Sequence, residues 1–222
     1  MRGRLLKFFL DVLRSQDWLT AQIWGFRVHR KLLAVTWDLT SICLKKAFDG
    51  EFGPGVARFL DMGSGQVGLL GQYVKTQWPS TEVCCADFYP EFVANIAFNA
   101  ERNGLDLKTL QSDLFANVKG TFDAISFNPP YVAGDDAPGV QYPRIRFGGA
   151  DGGGTTRRFL AGAKEFLTPA GRIYLGINCY YLPQPACERM IAEHGYEIEK
   201  VYQRRMNTAR AFVLRRGSNA PH

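Results

Sequence analysis

The chain has 222 residues, of which 46% are hydrophobic and 22% are charged. This composition excludes a disordered, collagen-like or repetitive protein and predicts one α/β domain with a terminal extension. The formal charge of +6 favours an anionic partner through long-range attraction but does not identify one.

The five cysteines and the first residues of the chain bear on its location. No two cysteines have C-x-x-C spacing, so we expect free thiols, no metal site and a reducing, cytoplasmic environment. The first 14 residues, MRGRLLKFFLDVLR, have the spacing of a basic amphipathic helix, which we expect to pack on the domain. No segment reaches the length of a membrane span.

Hydrophobic spacing divides the chain at about residue 50. Residues 1–50 are predicted to form an N-terminal extension, with a helix to about Leu19, a short hairpin over 23–35 and a second helix over 37–48. Residues 51–222 are predicted to form the main domain, in which strands and helices alternate. Alternation predicts a mostly parallel sheet with right-handed crossovers, and its ligands should gather at the carboxyl ends of the strands.

The predicted elements of the main domain follow in chain order. They are a strand at 56–62, a helix at 68–78, a strand at 82–87, a helix at 89–104, strands at 107–113 and 121–127, a helix at 155–167, a strand at 171–178, a helix at 185–195, and strands at 197–205 and 209–216. The last two strands are joined by a short turn and read as an antiparallel hairpin. A long loop precedes the helix at 155.

A glycine turn, LDMGSGQVGLLG, follows the first strand of this domain. Gly63, Gly65 and Gly68 have the G-x-G-x-x-G spacing of a dinucleotide site, in which a pyrophosphate rests on the following helix. The same geometry also suits S-adenosylmethionine, which carries an ammonium group and a sulfonium in place of a pyrophosphate. Asp61, two residues before Gly63, favours the second cofactor because a carboxylate repels a pyrophosphate but attracts a cation or orders the turn.

Two further acids end the next two strands. Asp87 is placed to bind ribose hydroxyls, and Asp113 is placed to accept a hydrogen bond from an adenine amino group. Phe88 and Leu114 directly follow these acids and complete the predicted cofactor site. Three acids at one edge of the sheet favour a ligand with ribose and adenine, and NAD and S-adenosylmethionine both meet that description.

The stretch NPPY, after the strand at 121–127, decides between them. Asn128 through its side-chain oxygen and Pro129 through its carbonyl can hold both hydrogens of one NH₂ group, while Tyr131 offers a flat face for stacking. An amide or aromatic amine nitrogen is a poor nucleophile because its lone pair is delocalised. Two acceptors would stabilise the positive charge that develops as a methyl group arrives. A nicotinamide dehydrogenase does not account for this motif.

With these motifs in order, the chain resembles the HemK/PrmC-like branch of class I S-adenosylmethionine-dependent methyltransferases. The resemblance rests on LDMGSGQVG, ADFYPEFVANIAFNAERNG, SDLFANVKGTFDAISFNPPYV and FGGADGGGTTRRFL, and it covers roughly residues 24–216. It implies a Rossmann-like sheet of seven strands with a C-terminal antiparallel hairpin. It also implies that the glycine turn, Asp87 and Asp113 bind the cofactor and that Asn128 binds the acceptor nitrogen beside it.

The sequence departs from this family in three places, one of which is its N-terminal region, which is short and unlike the usual helical recognition domain. Val67 replaces the third glycine of D-x-G-x-G-x-G, and the segment before the catalytic domain reads LAVTWDLTS, in which Thr40 keeps the family spacing. We therefore predict N-methylation of a planar nitrogen, with a protein glutamine ahead of a nucleic-acid base and a small metabolite as a further alternative. An NAD-dependent oxidoreductase and a non-catalytic nucleic-acid-binding domain are the competing classes.

Overall fold

The computed structural model describes residue 12 and residues 14–53, 55–134, 140–204 and 207–217. Within these ranges there are six α-helices and seven β-strands. The helices are α1 (Asp17–Trp24), α2 (Leu39–Glu51), α3 (Leu69–Gln77), α4 (Pro90–Arg102), α5 (Gly154–Ala163) and α6 (Gln184–Glu193). The strands are β1 (Arg58–Met62), β2 (Glu82–Asp87), β3 (Lys108–Gln111), β4 (Phe122–Phe127), β5 (Leu167–Asn178), β6 (Tyr196–Gln203) and β7 (Ala209–Arg216).

All seven strands form one sheet in the order β3-β2-β1-β4-β5-β7-β6. The first five strands pair in parallel, and β7 pairs antiparallel with both β5 and β6. The predicted Rossmann-like sheet with a C-terminal antiparallel hairpin is therefore confirmed. The chain reverses its direction of winding between β3 and β4, so β1 and β4 lie side by side and their carboxyl ends form the crevice in which α/β folds bind ligands.

Alternation along the strands supplies a core on each face of the sheet. Phe59 of β1 packs with Phe48 of α2, the ring centroids being 5.6 Å apart, whereas the next residue, Leu60, belongs to the opposite cluster. That second cluster includes Phe159 of α5 and Ile191 of α6. Because neighbouring residues of a strand point to opposite faces, a strand covered on both sides is largely apolar, and four of the six residues of β4 are apolar.

The N-terminal extension differs from the sequence prediction in one element. The expected helix over 37–48 is present as α2, but the expected hairpin over 23–35 is wrong, because residues 25–38 contain no strand. Most of the amphipathic stretch at 1–14 lies outside the described residues. The expected domain boundary at residue 50 stays a prediction.

Amide side chains explain why residues 27–35 form no hairpin. Asn99 of α4 accepts hydrogen bonds from the backbone N–H groups of His29 (2.8 Å) and Arg30 (3.1 Å). Gln66 of the glycine turn accepts from those of Leu32 (2.6 Å) and Leu33 (2.7 Å). The two amide groups also donate to backbone carbonyls of the same segment. The segment's backbone is therefore bonded to distant side chains instead of to a partner strand.

Candidate active site

The residues predicted to bind cofactor and acceptor all line one cavity of about 1290 Å³ at the carboxyl edge of the sheet. They are Asp61, Gly63, Gly65, Asp87, Phe88, Asp113, Leu114, Asn128, Pro129 and Tyr131. Four different strands and the turns after them contribute these residues, which are up to 70 positions apart in the chain. Topology brings them together, because parallel strands end at the same edge.

Asp61 is buried and acts as an organiser of the glycine turn. One carboxylate oxygen accepts a hydrogen bond from the Ser126 hydroxyl of β4 (2.7 Å), and the other accepts from the backbone N–H of Gly71 in α3 (3.1 Å). Burial raises the pKa of the carboxyl to about 6, against the opposing effect of these hydrogen bonds. The side chain therefore fixes β1, β4 and the first turn of α3 relative to one another.

Gly68 follows Val67, the residue at which the sequence departs from its family, and has a structural requirement of its own. Its φ is +61°, and a Cβ added there would lie 2.7 Å from a side-chain carbon of Ile96 in α4. Val67, which replaces the family glycine, is 1% exposed and belongs to the core cluster that includes Ile96. The extra side chain is therefore accommodated in the protein core.

Asp87, at the end of β2, holds the glycine turn at Gly65. Its two oxygens accept hydrogen bonds from the backbone N–H groups of Gly65 (2.8 Å) and Tyr89 (3.0 Å). The residue is 6% exposed, and burial raises the pKa of its carboxyl. A carboxylate has about four acceptor sites, so Asp87 retains acceptor capacity for hydroxyl groups of a ligand in the cavity.

Asp113 and Phe88 form the outer part of the same half of the cavity. Asp113 pairs with Arg144 and Arg158, at 3.2 Å through one oxygen each. The guanidinium of Arg144 also lies over the ring of Phe88, 3.9 Å from its centroid. Leu114 has a φ of +49° and its carbonyl accepts a hydrogen bond from the Ser112 hydroxyl. The turn after β3 is thus held in an uncommon conformation that directs it towards the cavity.

Asn128 carries the least satisfied group in the site. Its side-chain oxygen is buried and has no hydrogen-bond partner among the described residues, although the residue lines the cavity. A buried acceptor without a partner costs free energy, because it has lost its hydrogen bonds to water and gained none. The next residue, Pro129, has no N–H group and leaves only its carbonyl for bonding. The end of β4 therefore presents acceptors and lacks a donor at Pro129.

Tyr131 is fixed from the N-terminal side of the chain. Its hydroxyl donates to a carboxylate oxygen of Asp38 (3.0 Å), the residue that caps α2 through the backbone N–H of Ser41 (2.7 Å). The ring of Tyr181 stacks on it, with centroids 5.8 Å apart and planes 22° apart. Burial and the nearby Asp38 carboxylate raise the pKa of the Tyr131 phenol well above its usual value. The phenol thus stays neutral and presents a planar ring.

The glycine-rich stretch GGADGGG packs against the backbone of the NPPY motif. A Cβ on Gly148 would lie 2.4 Å from the Pro130 carbonyl oxygen, and one on Gly152 would lie 2.5 Å from that of Tyr131. The stretch lies in the long loop that the sequence predicts before the helix at 155. It does precede α5, and it also allows two backbones to approach more closely than any side chain permits.

Three residues that shape the site are absent from the set predicted from the sequence. Asp38 was overlooked in favour of Thr40, whose hydroxyl lies 3.5 Å from that of Tyr131. Tyr181 and Gln66 were also missed. The one available signal was at Asp38, since an Asp three residues before Ser41 is an N-cap pattern. The contacts of Tyr181 and Gln66 join residues more than 30 positions apart and leave no local pattern.

Comparison with known families identifies the family of the chain. A model of the methyltransferase small domain family matches residues 36–203, about three quarters of the chain. The chain belongs to this family. The resemblance stated from the sequence is confirmed at this level, and the matched range begins before α2 and ends at the end of β6.

Curated relatives resemble part of the chain. A release factor glutamine methyltransferase of Deinococcus radiodurans is 32% identical over 64% of this chain and 52% of its own length. A small-subunit ribosomal RNA methyltransferase C of Pasteurella multocida is 31% identical over 60% and 35%. A ribosomal protein uL3 glutamine methyltransferase of Neisseria meningitidis serogroup A is 31% identical over 58% and 45%. The matches thus span about a third to a half of these relatives.

Solved structures share the fold. A methyltransferase from Pyrococcus furiosus has a TM-score of 0.66 and 18% identity, covering 96% of this chain and 98% of the other. A 16S rRNA N2 G1207 methyltransferase of Thermus thermophilus, solved with AdoMet and guanosine, has a TM-score of 0.58 and 21% identity, covering 82% and 44%. Among the described residues, no helix is long and apolar enough to cross a membrane.

Proposed function

We propose that this protein is an S-adenosylmethionine-dependent methyltransferase that acts on a planar amide or amine nitrogen. The observation that carries the proposal is the side-chain oxygen of Asn128, which is buried and has no hydrogen-bond partner in the described part of the chain, on the wall of a cavity that the glycine turn also lines. Membership of the methyltransferase small domain family supports this class over a nicotinamide-dependent oxidoreductase.

The cofactor half of the cavity fits S-adenosylmethionine. Asp87 has acceptor capacity for ribose hydroxyls, Phe88 has an aromatic ring on which adenine would stack, and Asp113 offers a carboxylate for the adenine amino group. Gly63, Gly65 and Leu114 would contribute main-chain contacts, and Asp61 holds the turn in place. When bound, the cofactor supplies an electrophilic methyl group on a sulfonium.

The acceptor half accounts for the activation of a weak nucleophile. Asn128 through Oδ1 and Pro129 through its carbonyl would accept both hydrogens of the acceptor NH₂ group, which orients its lone pair and stabilises the charge that develops. The neutral ring of Tyr131, held by Asp38, would stack on the plane of the amide or base. No side chain needs to act as a strong base, because an N–H proton of the acceptor becomes acidic as the methyl group is transferred and can then pass to water.

A protein glutamine is our first candidate for the acceptor. Relatives named as glutamine methyltransferases of a release factor and of ribosomal protein uL3 support it. A nucleic-acid base, adenine N6 or guanine N2, is the alternative, supported by the relative that is named as a ribosomal RNA methyltransferase and by the charge of +6. The five free cysteines suit a reducing cytoplasm, in which we place the reaction.

Calorimetry and labelling test the proposal in two steps. The purified chain should bind S-adenosylmethionine and not NAD, and binding of NAD alone would refute the assigned class. Incubation with a cell extract and methyl-labelled cofactor should then give labelled material that is lost on protease digestion. If label is lost only on nuclease digestion, the acceptor is a nucleic-acid base and the glutamine assignment is wrong.

A further inference from the structure

Arg144 lies in the cofactor half of the cavity, on a segment anchored to the end of β2. The segment forms a 3-10 turn over Pro143–Ile145. Its neighbour Tyr142 packs against the rings of Tyr89 and Phe92, with centroids 5.0 and 4.7 Å apart. The backbone N–H of Arg144 donates to the Tyr89 hydroxyl (3.0 Å). Two ring contacts and one hydrogen bond therefore hold the 3-10 turn against the residues that follow β2.

The guanidinium of Arg144 makes two contacts in the cavity. It covers the ring of Phe88 at 3.9 Å from the centroid, and it pairs with Asp113 at 3.2 Å. Phe88 and Asp113 are the two residues that the proposed function assigns to adenine. A guanidinium and an adenine share the features that these residues recognise, since each is planar and carries N–H donors at its edge.

The spacing leaves no room for both groups. A planar base between Phe88 and a guanidinium would require the two to be about 7 Å apart, twice an ordinary contact distance, and they are 3.9 Å apart. Asp113 has a second partner in Arg158, which pairs with its other carboxylate oxygen. Loss of the Arg144 contact would therefore leave the Asp113 carboxylate with one cation still beside it.

We propose that Arg144 occupies the adenine subsite through Phe88 and Asp113, and that cofactor binding displaces its guanidinium from both. The inference rests on the proposed function, since it concerns the binding of S-adenosylmethionine to the same cavity. Breaking these contacts costs free energy, so the observed affinity for the cofactor is lower than the intrinsic affinity. Arg144 therefore lowers cofactor affinity and takes no part in methyl transfer.

Binding of S-adenosylmethionine to purified variants, measured by calorimetry, tests the displacement. Arg144→Ala should bind the cofactor about threefold to tenfold more tightly than the unmodified chain, the range expected for one exposed ion pair and one cation–π contact. Arg144→Lys keeps the charge without the plane and should fall between the two. Arg172→Ala is the matched control, because it removes a partly exposed ion pair with Glu199 of β6 that does not line the cavity; the cofactor affinity of this variant should stay within about twofold.

Salt provides a second measurement. The side chains of Arg144 and Asp113 are 46% and 37% exposed, so added salt screens their attraction. The advantage of Arg144→Ala should therefore shrink as salt is raised. In addition, the Nε–H NMR signal of Arg144, assigned by its absence from Arg144→Lys, should shift when cofactor is added.

The outcomes separate the two proposals. Equal or weaker cofactor binding by Arg144→Ala, or an unchanged Arg144 signal, overturns the displacement while leaving the proposed function in place. If neither the unmodified chain nor any variant binds S-adenosylmethionine, the proposed function and this inference are both wrong.

Discussion

The two halves of the cavity are built in opposite ways. In the cofactor half, the oxygens of Asp61 and Asp87 already accept hydrogen bonds from the protein's own backbone and a hydroxyl. In the acceptor half, the side-chain oxygen of Asn128 accepts none within the described residues. The satisfied half keeps its shape by itself, whereas the unsatisfied half is complete only when a donor arrives from outside.

This difference teaches where substitutions should affect stability and where they should affect activity. Removing a satisfied acid leaves its partners unpaired and disturbs the turn that it holds. Removing an unsatisfied acceptor relieves the folded chain of a desolvated group and costs only the interaction with the substrate. The predictions below test this contrast.

Asn128→Ala should have the largest effect, and on catalysis alone. We expect methyl transfer to fall by about 10²- to 10³-fold, the cost of losing one preorganised group at the reacting centre, while cofactor affinity and thermal stability stay nearly unchanged. Rates of label transfer, cofactor titrations and melting curves measure the three quantities. Asn117→Ala, at an exposed asparagine after β3, is the control. If Asn128→Ala kept most of its activity, the role given to its oxygen would be wrong.

Asp61→Asn should change how stability depends on pH. The folded chain holds the Asp61 proton up to a pKa of about 6, whereas the unfolded chain releases it at about 3.9. Between these values the unfolded state binds fewer protons, so this carboxyl makes stability fall as pH rises, by about 3 kcal/mol in total. Below about pH 4 the Asp61 carboxyl makes its full contribution to the free energy of unfolding.

Urea unfolding between pH 4 and 7 measures that dependence. The difference between the unmodified chain and Asp61→Asn should change across this range and level off above pH 6. Ser126→Ala removes a hydrogen bond that opposes the pKa increase, so it should extend the fall to higher pH. Parallel profiles for the unmodified chain and Asp61→Asn would contradict the assignment of this titration to Asp61.

Gly152→Ala should destabilise the protein more than the same substitution at a glycine outside the acceptor half. Gly152 and Gly104 have φ values of +77° and +65°, but a Cβ on Gly104 would meet no atom within 4 Å, whereas one on Gly152 would lie 2.5 Å from the Tyr131 carbonyl oxygen. Gly152→Ala should therefore cost about 2 kcal/mol more free energy of unfolding than Gly104→Ala. Equal costs would show that the loop after β4 yields easily.

Tyr131→Phe should have the smallest effect. It removes the hydrogen bond to Asp38 but keeps the ring, so we expect a loss of about 1 kcal/mol in stability and methyl transfer within about threefold of the unmodified rate. Tyr131→Ala removes the ring and should lose most of the activity. If Tyr131→Phe lost as much activity as Tyr131→Ala, the hydroxyl would be the functional group and the stacking role would be wrong.

The fold of the main domain was predictable because its signals are local. The first three strands end within two residues of an acid, the fourth runs into NPPY, the helices have their apolar spacing, and Gly104 after α4 has the positive φ expected of a helix stop. The residues at 23–35 misled the prediction because aromatic and β-branched side chains favour strands, while the partners that determine their conformation lie up to 76 positions away. Asp38 was missed as a partner of Tyr131 for the same reason, since 93 positions separate them.

The amide contacts of residues 27–35 also bear on how the chain opens. A segment without secondary structure usually exchanges its amide hydrogens quickly, but those of His29, Arg30 and Leu33 are held by side chains of α4 and the glycine turn. Their release requires the movement of Asn99 and Gln66, which are buried. We therefore expect the segment and the glycine turn to open as one cooperative unit, so that exchange at these amides reports on the integrity of the glycine turn.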